Sequence, residues 1–241
     1  MAGTVSDPAW RALAGATIEV VGGPQAGLTT TTDAQGDFQI TGAFDETSRF
    51  RATKDGHASA ERPLPARCEP CNPNWWLHFY LEALAPRRSI AGDYTLTIVT
   101  NSACGGLPDD VRARSYEGTV APYADSTNSR FQVTVEGPRI VQDFNRFVIG
   151  VAGEYLAADF GDWGHGGAGL VEQVAANTYV TVSGSFTGST AEPTISGAFY
   201  GIVERCQLQT DWSGLSSCAA GGPLVHEKCG PLPHQLMLTP R

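Results

Sequence analysis

The sequence predicts an all-β protein, on three observations. Short apolar/polar alternations recur about every ten residues. The 28 glycines and 15 prolines are spread along the chain as turn punctuation, not gathered into one disordered tract. Helical periodicity is scarce. A chain of 241 residues that is 41% hydrophobic has apolar surface for two modest cores. The break is expected at Ala85-Pro86, giving domains of residues 1–85 and 86–241.

In the first domain the strand-like runs are Gly3 to Ser6, Ala16 to Val21, Leu28 to Thr32, Asp37 to Thr41, Arg49 to Lys54, His57 to Arg62 and Trp75 to Leu84. Seven strands at this spacing fit one immunoglobulin-like sandwich. Gly22-Gly23-Pro24, Asp33-Ala34-Gln35-Gly36 and Lys54-Asp55-Gly56 supply residues that tolerate tight turns or positive φ. In the second of these, Asp33 is placed to accept backbone N–H groups, Gly36 to take positive φ and Phe38 to enter the core.

The segments Gly3-Thr-Val-Ser-Asp7, Leu13-Ala-Gly-Ala-Thr-Ile-Glu-Val20, Thr31-Thr-Asp-Ala-Gln-Gly-Asp-Phe38 and Ala52-Thr-Lys-Asp-Gly-His57 resemble the carboxypeptidase regulatory-like family over roughly residues 2–84. The resemblance implies a transthyretin-like sandwich without catalysis. It supports a fold and an exported setting better than a function, since such domains accompany many unrelated partners.

Along the last strand of this domain, alternation puts Trp75, Leu77, Phe79 and Leu81 on one side and Trp76, His78, Tyr80 and Glu82 on the other. The first set is core. The second joins two aromatic rings to an imidazole and a carboxylate, suited to stacking on a sugar ring and hydrogen-bonding its hydroxyls. Packing against the neighbouring domain is the alternative use of that face. Between the sixth and seventh strands lies Cys68-Glu-Pro-Cys71 in a proline-stiffened loop. Structural zinc wants four ligands and a redox pair normally opens a helix, so a local disulfide is expected.

The second domain repeats the β pattern with longer strands near Ile90 to Thr100, Arg112 to Ala121, Arg130 to Glu136, Arg146 to Val151, Glu154 to Phe160, Thr178 to Gly188, Thr194 to Arg205 and Gln235 to Thr239. About eight sequential antiparallel strands predict an up-and-down barrel, which leaves no open edges. Gly184, Gly188, Gly197 and Gly201 are expected to permit strong bending. Through Gly92-Asp-Tyr-Thr-Leu-Thr, Cys104-x-x-Leu107-Pro108 and Arg112-Ala-Arg-Ser-Tyr116 this half is similar to lipocalin-like β-barrel domains that follow sandwiches in secreted bacterial proteins. Lipocalins carry Gly-x-Trp near the first strand, and Tyr94 departs from it. Cys104, Cys206, Cys218 and Cys229 remain. Closing Cys206 to Cys218 would stabilise a Gly/Ser/Pro-rich segment by roughly 3 kcal/mol and leave Cys104 for Cys229, but four thiols allow three pairings.

Six cysteines, two lysines and scarce helix fit an oxidised extracytoplasmic protein. No signal sequence precedes the first strand, so the expectation is that one was removed and Met1 replaced it. No run of 18 apolar residues predicts a membrane span. The net charge of −9 divides as 8 basic minus 10 acidic residues through Arg88 and 8 minus 15 after it, a surface that repels nucleic acid.

Catalytic motifs are weak. Gly164-His-Gly166-Gly-Ala-Gly169 matches G-x-G-x-x-G but lacks the strand-to-helix context a dinucleotide needs. Asp159, Asp162 and His165 share that loop, with Asp159 and Asp162 as calcium candidates, yet calcium wants six to eight oxygens. No Gly-x-Ser-x-Gly elbow is present, and no metal or other cofactor is expected. His226 and His234 flank Cys229, but a cysteine in a disulfide is not a ligand. The favoured function is non-catalytic binding or adhesion outside the cell or at its surface, with a glycan taken by Trp76, His78, Tyr80, Trp163 and Trp212. The alternatives are self-association into a surface fibre and carriage of a small molecule in the barrel lumen.

Overall fold

The computed structural model describes residues 1–64, 76–84, 88–123, 129–161 and 168–241. Two units divide the chain, Met1–Arg87 and Arg88–Arg241.

The first unit is the expected seven-strand sandwich: β1 (Ala2–Ser6), β2 (Thr17–Gly22), β3 (Thr29–Thr31), β4 (Asp37–Gln39), β5 (Arg49–Thr53), β6 (Ala60–Pro63) and β7 (Trp76–Tyr80). One sheet runs β4-β1-β7 and the other β3-β2-β5-β6. Their inner faces meet in one core, with Val5, Phe38, Leu77 and Phe79 from the first sheet and Ile18, Val20, Phe50 and Ala52 from the second. Burying each large side chain contributes about 1.5–3 kcal/mol. Gly3, in the middle of β1, has no substitute: a Cβ there would lie 2.2 Å from the Leu77 carbonyl oxygen and 2.6 Å from the Phe38 ring. The turn before β4 forms as its residues dictate. Asp33 Oδ1 accepts the N–H groups of Gln35 and Asp37, and Gly36 takes φ 76°.

The second unit is a closed barrel. Its elements are β8 (Gly92–Val99), α1 (Asp109–Arg112), β9 (Ala113–Pro122), β10 (Arg130–Glu136), β11 (Arg146–Ala152), β12 (Tyr155–Phe160), β13 (Leu170–Ala175), β14 (Thr178–Ser189), β15 (Ile195–Gln207) and β16 (Val225–Pro240). Eight of them close the ring β8-β9-β10-β11-β12-β14-β15-β16 and back to β8, all neighbours antiparallel. Inward positions are apolar, as in Phe131, Val133 and Val135 of β10. The alternate positions Gln132, Thr134 and Glu136 face outward, the reverse of a barrel that spans lipid. Among the described residues no helix is long and apolar enough to cross a membrane.

β13 is a ninth strand, absent from the sequence expectation of about eight. β14, β15 and β16 overshoot the ring, and β12 stops at the pair Phe160–Gly184, so the first part of β14 pairs with β13 instead. Beyond β14, β13 meets the β10–β11 connection, where the N–H of Val141 donates to Val171 and that of Gln173 to Arg139. Its Glu172 also accepts from Arg114 and Tyr116 of β9. β9 and β14 stand opposite each other in the ring, so a strand touching both spans the mouth.

Glycine permits the bend that brings the overshoot across. Gly184 faces Gly201 and Gly188 faces Gly197 in the ladder. A Cβ on Gly184 would come 2.5 Å from the Gly201 Cα, and one on Gly197 would come 2.0 Å from the Thr187 carbonyl oxygen. β16 also differs from expectation, running sixteen residues instead of Gln235 to Thr239. Of the prolines that hide its first part, Pro231 is taken out of the ladder by an irregularity opposite Gly201–Val203, while Pro233 stays in register with Tyr200. Among the described residues two disulfides form, Cys104–Cys229 and Cys206–Cys218.

Candidate functional site

The outer face of the sheet β4-β1-β7 gathers the most ligand-like set of side chains. Parallel pairing sets Ala2 beside Trp76, Thr4 beside His78 and Ser6 beside Tyr80. On the other flank of β1, Gln39 faces Ala2 and Asp37 faces Thr4. Paired residues share a face, so Trp76, His78, Tyr80, Thr4, Ser6, Asp37 and Gln39 form one surface. Leu77 and Phe79 alternate into the core and hold the strand in place. Trp76 exposes 55% of its surface, beside the small Ala2, so the indole offers an open flat ring.

His78 is fixed in the middle. Its Nδ1 lies 3.2 Å from Thr4 Oγ1 and its Nε2 3.1 Å from Ser6 Oγ, and its ring centroid is 4.3 Å from that of Tyr80. In the neutral ring one nitrogen donates to a hydroxyl and the other accepts from one. Partial burial, with a lesser push from the Arg62 guanidinium, holds the imidazole below its ordinary pKa, so it is neutral at pH 7. A flat aromatic ring flanked by hydroxyls, an amide and a carboxylate has the chemistry to stack on and hydrogen-bond a polyhydroxylated ligand.

Alternation alone placed Trp76, His78 and Tyr80 on one face. It did not find Thr4, Ser6, Asp37 or Gln39, because which strands flank β7 is a matter of topology. Trp212 does not join this ligand-binding set as the sequence predicts: only 4% of it is accessible. It packs in a second core with Tyr179, Leu208 and Val171, its backbone N–H donating to the Tyr179 hydroxyl. Asp159 sits on β12, facing Ser185 across the ladder. Cys68, Cys71, Trp75, Asp162, Trp163 and His165 lie outside the described residues, as does most of the Gly164–Gly169 motif.

In the barrel, Phe131, Phe160, Phe186, Phe199, Leu96, Ile149 and Leu156 have no appreciable surface accessible to water, so their side chains fill the lumen around them. Phe160 stacks on Phe147 at 3.9 Å between centroids and meets the edge of Phe199. At the mouth, Glu172 accepts two bonds from the Arg114 guanidinium and a third, 3.1 Å long, from the Tyr116 hydroxyl. The hydrogen bond to Glu172 raises the Arg114 pKa, while burial, followed by the Glu172 charge, raises that of Tyr116. Arg114 therefore keeps its charge and Tyr116 its proton. Alternation does not find this triad, since Glu172 stands 58 residues from Arg114 and 56 from Tyr116 along the chain and meets them only through the placement of β13.

Comparison with known proteins adds one family. The model of the carboxypeptidase regulatory-like domain matches residues 1–68, the part that forms β1 to β6 of the sandwich. No curated protein and no solved structure matches the chain.

Proposed function

We propose that the protein is a non-catalytic extracellular or cell-surface binding protein whose ligand is a glycan held on the outer face of β4-β1-β7. The observation that carries the reading is Trp76, more than half exposed on a regular sheet position beside Ala2 and next to the hydrogen-bonding row of His78, Thr4 and Ser6. A solvent-facing indole held at a fixed ladder position offers a preformed flat apolar ring on which a sugar can stack. Export is supported by the two disulfides of the barrel, which persist in oxidising surroundings. The packed phenylalanine lumen weighs against a small-molecule carrier.

Glycan-array screening followed by titration of the best polysaccharide tests the reading. Trp76→Ala is expected to weaken binding by roughly tenfold or more, the scale of one lost aromatic stack, while the circular-dichroism spectrum is unchanged. An array with no hit, or binding indifferent to Trp76→Ala, overturns it.

A further inference from the structure

Outside the sandwich face, metal-ligating side chains converge at one other described place, the overshoot of the barrel. Glu204 and Cys206 are two residues apart on β15 and so share a face, and His226 of β16 is the direct ladder partner of Cys206. Cys218 comes to the same spot from the connection between those strands, bonded to Cys206. The carboxylate of Glu204, the sulfur of Cys218 and a ring nitrogen of His226 all lie within 4.8 Å of one another. Zinc with oxygen, nitrogen and sulfur ligands at about 2.0–2.3 Å sets neighbouring ligand atoms some 3.3–3.8 Å apart, within small side-chain adjustments of this arrangement.

We propose that, when the Cys206–Cys218 disulfide is open, these four side chains form a closed zinc site with ligands Glu204, Cys206, Cys218 and His226. Two features preorganise it. Three ligands stand on a paired two-stranded ladder, which fixes their spacing. The fourth is held by contacts that do not depend on the disulfide. In its connection Leu208, Trp212 and Leu215 pack into the second core, the Trp212 N–H donates to the Tyr179 hydroxyl, and the Leu224 N–H donates to the Gln207 carbonyl. Both sulfurs are fully buried while the His226 side chain is 28% exposed, so an ion has an entry at His226 and thiolates behind it. In the oxidised protein Glu204 instead pairs with Lys228 at 3.4 Å and His226 at 3.2 Å, and zinc would take the place of that ion pair.

The chemistry balances with a phosphine as reductant. Phosphine, water and the disulfide give phosphine oxide and two thiols; the thiols then bind Zn²⁺ and release two protons, so that two thiolates, the Glu204 carboxylate and the neutral His226 ring hold the ion with a net charge of −1. Re-oxidation takes a second disulfide: thiol–disulfide exchange with a small-molecule disulfide re-forms Cys206–Cys218, leaves that reagent as two thiols with the uptake of two protons, and expels Zn²⁺. Since every chain is made with reduced cysteines, the site exists before the disulfide does, and it would hold the connection against β15 until oxidation replaces it.

The test uses the full chain carrying Cys68→Ser and Cys71→Ser, so that the other cysteine pair with short spacing contributes nothing. After phosphine reduction and desalting without oxygen, Co²⁺ is titrated as a spectroscopic stand-in for zinc. One equivalent is expected to give the thiolate-to-cobalt charge-transfer band and the intense visible bands of a tetrahedral ion, both removed by Zn²⁺ and both missing from the oxidised protein. His226→Ala should weaken the affinity roughly 100-fold or more, at least the cost of losing a supporting partner of a ligand. A spectrum that survives His226→Ala, that persists in Cys206→Ser/Cys218→Ser, or that stays octahedral overturns the proposal. Should reduction unfold the overshoot, zinc is expected to restore it and to shield Cys206 and Cys218, but not Cys104 and Cys229, from alkylation; failure to restore it overturns the proposal equally.

Discussion

The two units solve the same problem, burying one face of each strand, with different means. In the sandwich the inner faces of two short sheets meet, and the strands are three to six residues long, so local turns such as Asp33–Gly36 carry much of the specification. The barrel closes on itself with strands of up to sixteen residues. Its contacts join distant parts of the chain: β16 pairs with β8, and Cys104 is bonded to Cys229 across 125 residues. The sandwich leaves edges and a flat outer face that a ligand can use. A closed ring leaves neither, and its variation is confined to the overshoot and the strand that crosses the mouth. Binding is therefore sought on the first unit and long-range fastening on the second.

The sharpest contrast lies in the fastenings. Removing Cys104–Cys229 as Cys104→Ala/Cys229→Ala is expected to destabilise the barrel by about 5 kcal/mol, from the loop entropy of a long closure. The same treatment of Cys206–Cys218, a closure of 12 residues, is expected to cost about 3 kcal/mol. Urea titrations following the transition of residues 88–241 in each variant measure both. Equal losses would mean that the bonds act through local packing and not through the span they close.

Core truncation comes next. Phe160→Ala removes a ring that stacks on Phe147 and meets the edge of Phe199 in the barrel core, for about 3–5 kcal/mol. The loss should appear in the transition of residues 88–241 and leave that of the sandwich in place. At the mouth, Glu172→Gln strips the Arg114 guanidinium of its charged partner. About 2–3 kcal/mol is expected, below the 3–5 of a fully buried pair because the Arg114 side chain is 22% exposed. A neutral result in denaturation would show β13 to be an accessory and not a clasp.

The contrast also explains what could be read from the chain. All seven sandwich strands were legible, because period-two alternation and turn residues are local signals, and Gly36 and Asp33 do what their positions indicate. In the barrel the ring was legible for the same reason, and so were Gly184, Gly188, Gly197 and Gly201 as positions without a Cβ, though that they face each other in pairs follows only from the ladder. β13 was not, since Leu170–Ala175 is buried by a neighbour 30 or more residues away, from β9 and the β10–β11 connection, and not by a hairpin partner on both sides. The first part of β16 was hidden by Pro231 and Pro233. Trp212 misled because it lies in a Gly/Ser-rich segment that reads as exposed; the core formed on the overshoot has no periodic signature. On the sandwich face alternation marks only the side chains of β7; the hydroxyls of Thr4 and Ser6 join them through the parallel pairing of β1 with β7, which no local signal specifies.

The smallest expected effect separates two histidines, one in each unit. Burial depresses the pKa of both His78 and His234. An unfolded chain takes up a proton at such a residue near pH 6.5 and the folded chain only below that, so each contributes stability that is whole above about pH 6.5 and lost as the pH falls. Their partners differ. His234 Nδ1 accepts the Asn101 backbone N–H at 3.0 Å, while its Nε2 lies 3.1 Å from the Gly201 carbonyl oxygen, to which it donates. The amide of Asn101 cannot become an acceptor, so a protonated His234 must break that bond. At His78 both partners are hydroxyls, which can turn to accept from a doubly protonated ring. Acid should therefore loosen the barrel before the sandwich. His234→Gln is expected to flatten the stability profile between pH 7.5 and 5.5 more than His78→Gln does, measured by urea midpoints at each pH. The reverse order would place the acid-sensitive contact on the sandwich face, and binding there would then have to be tested for pH dependence first.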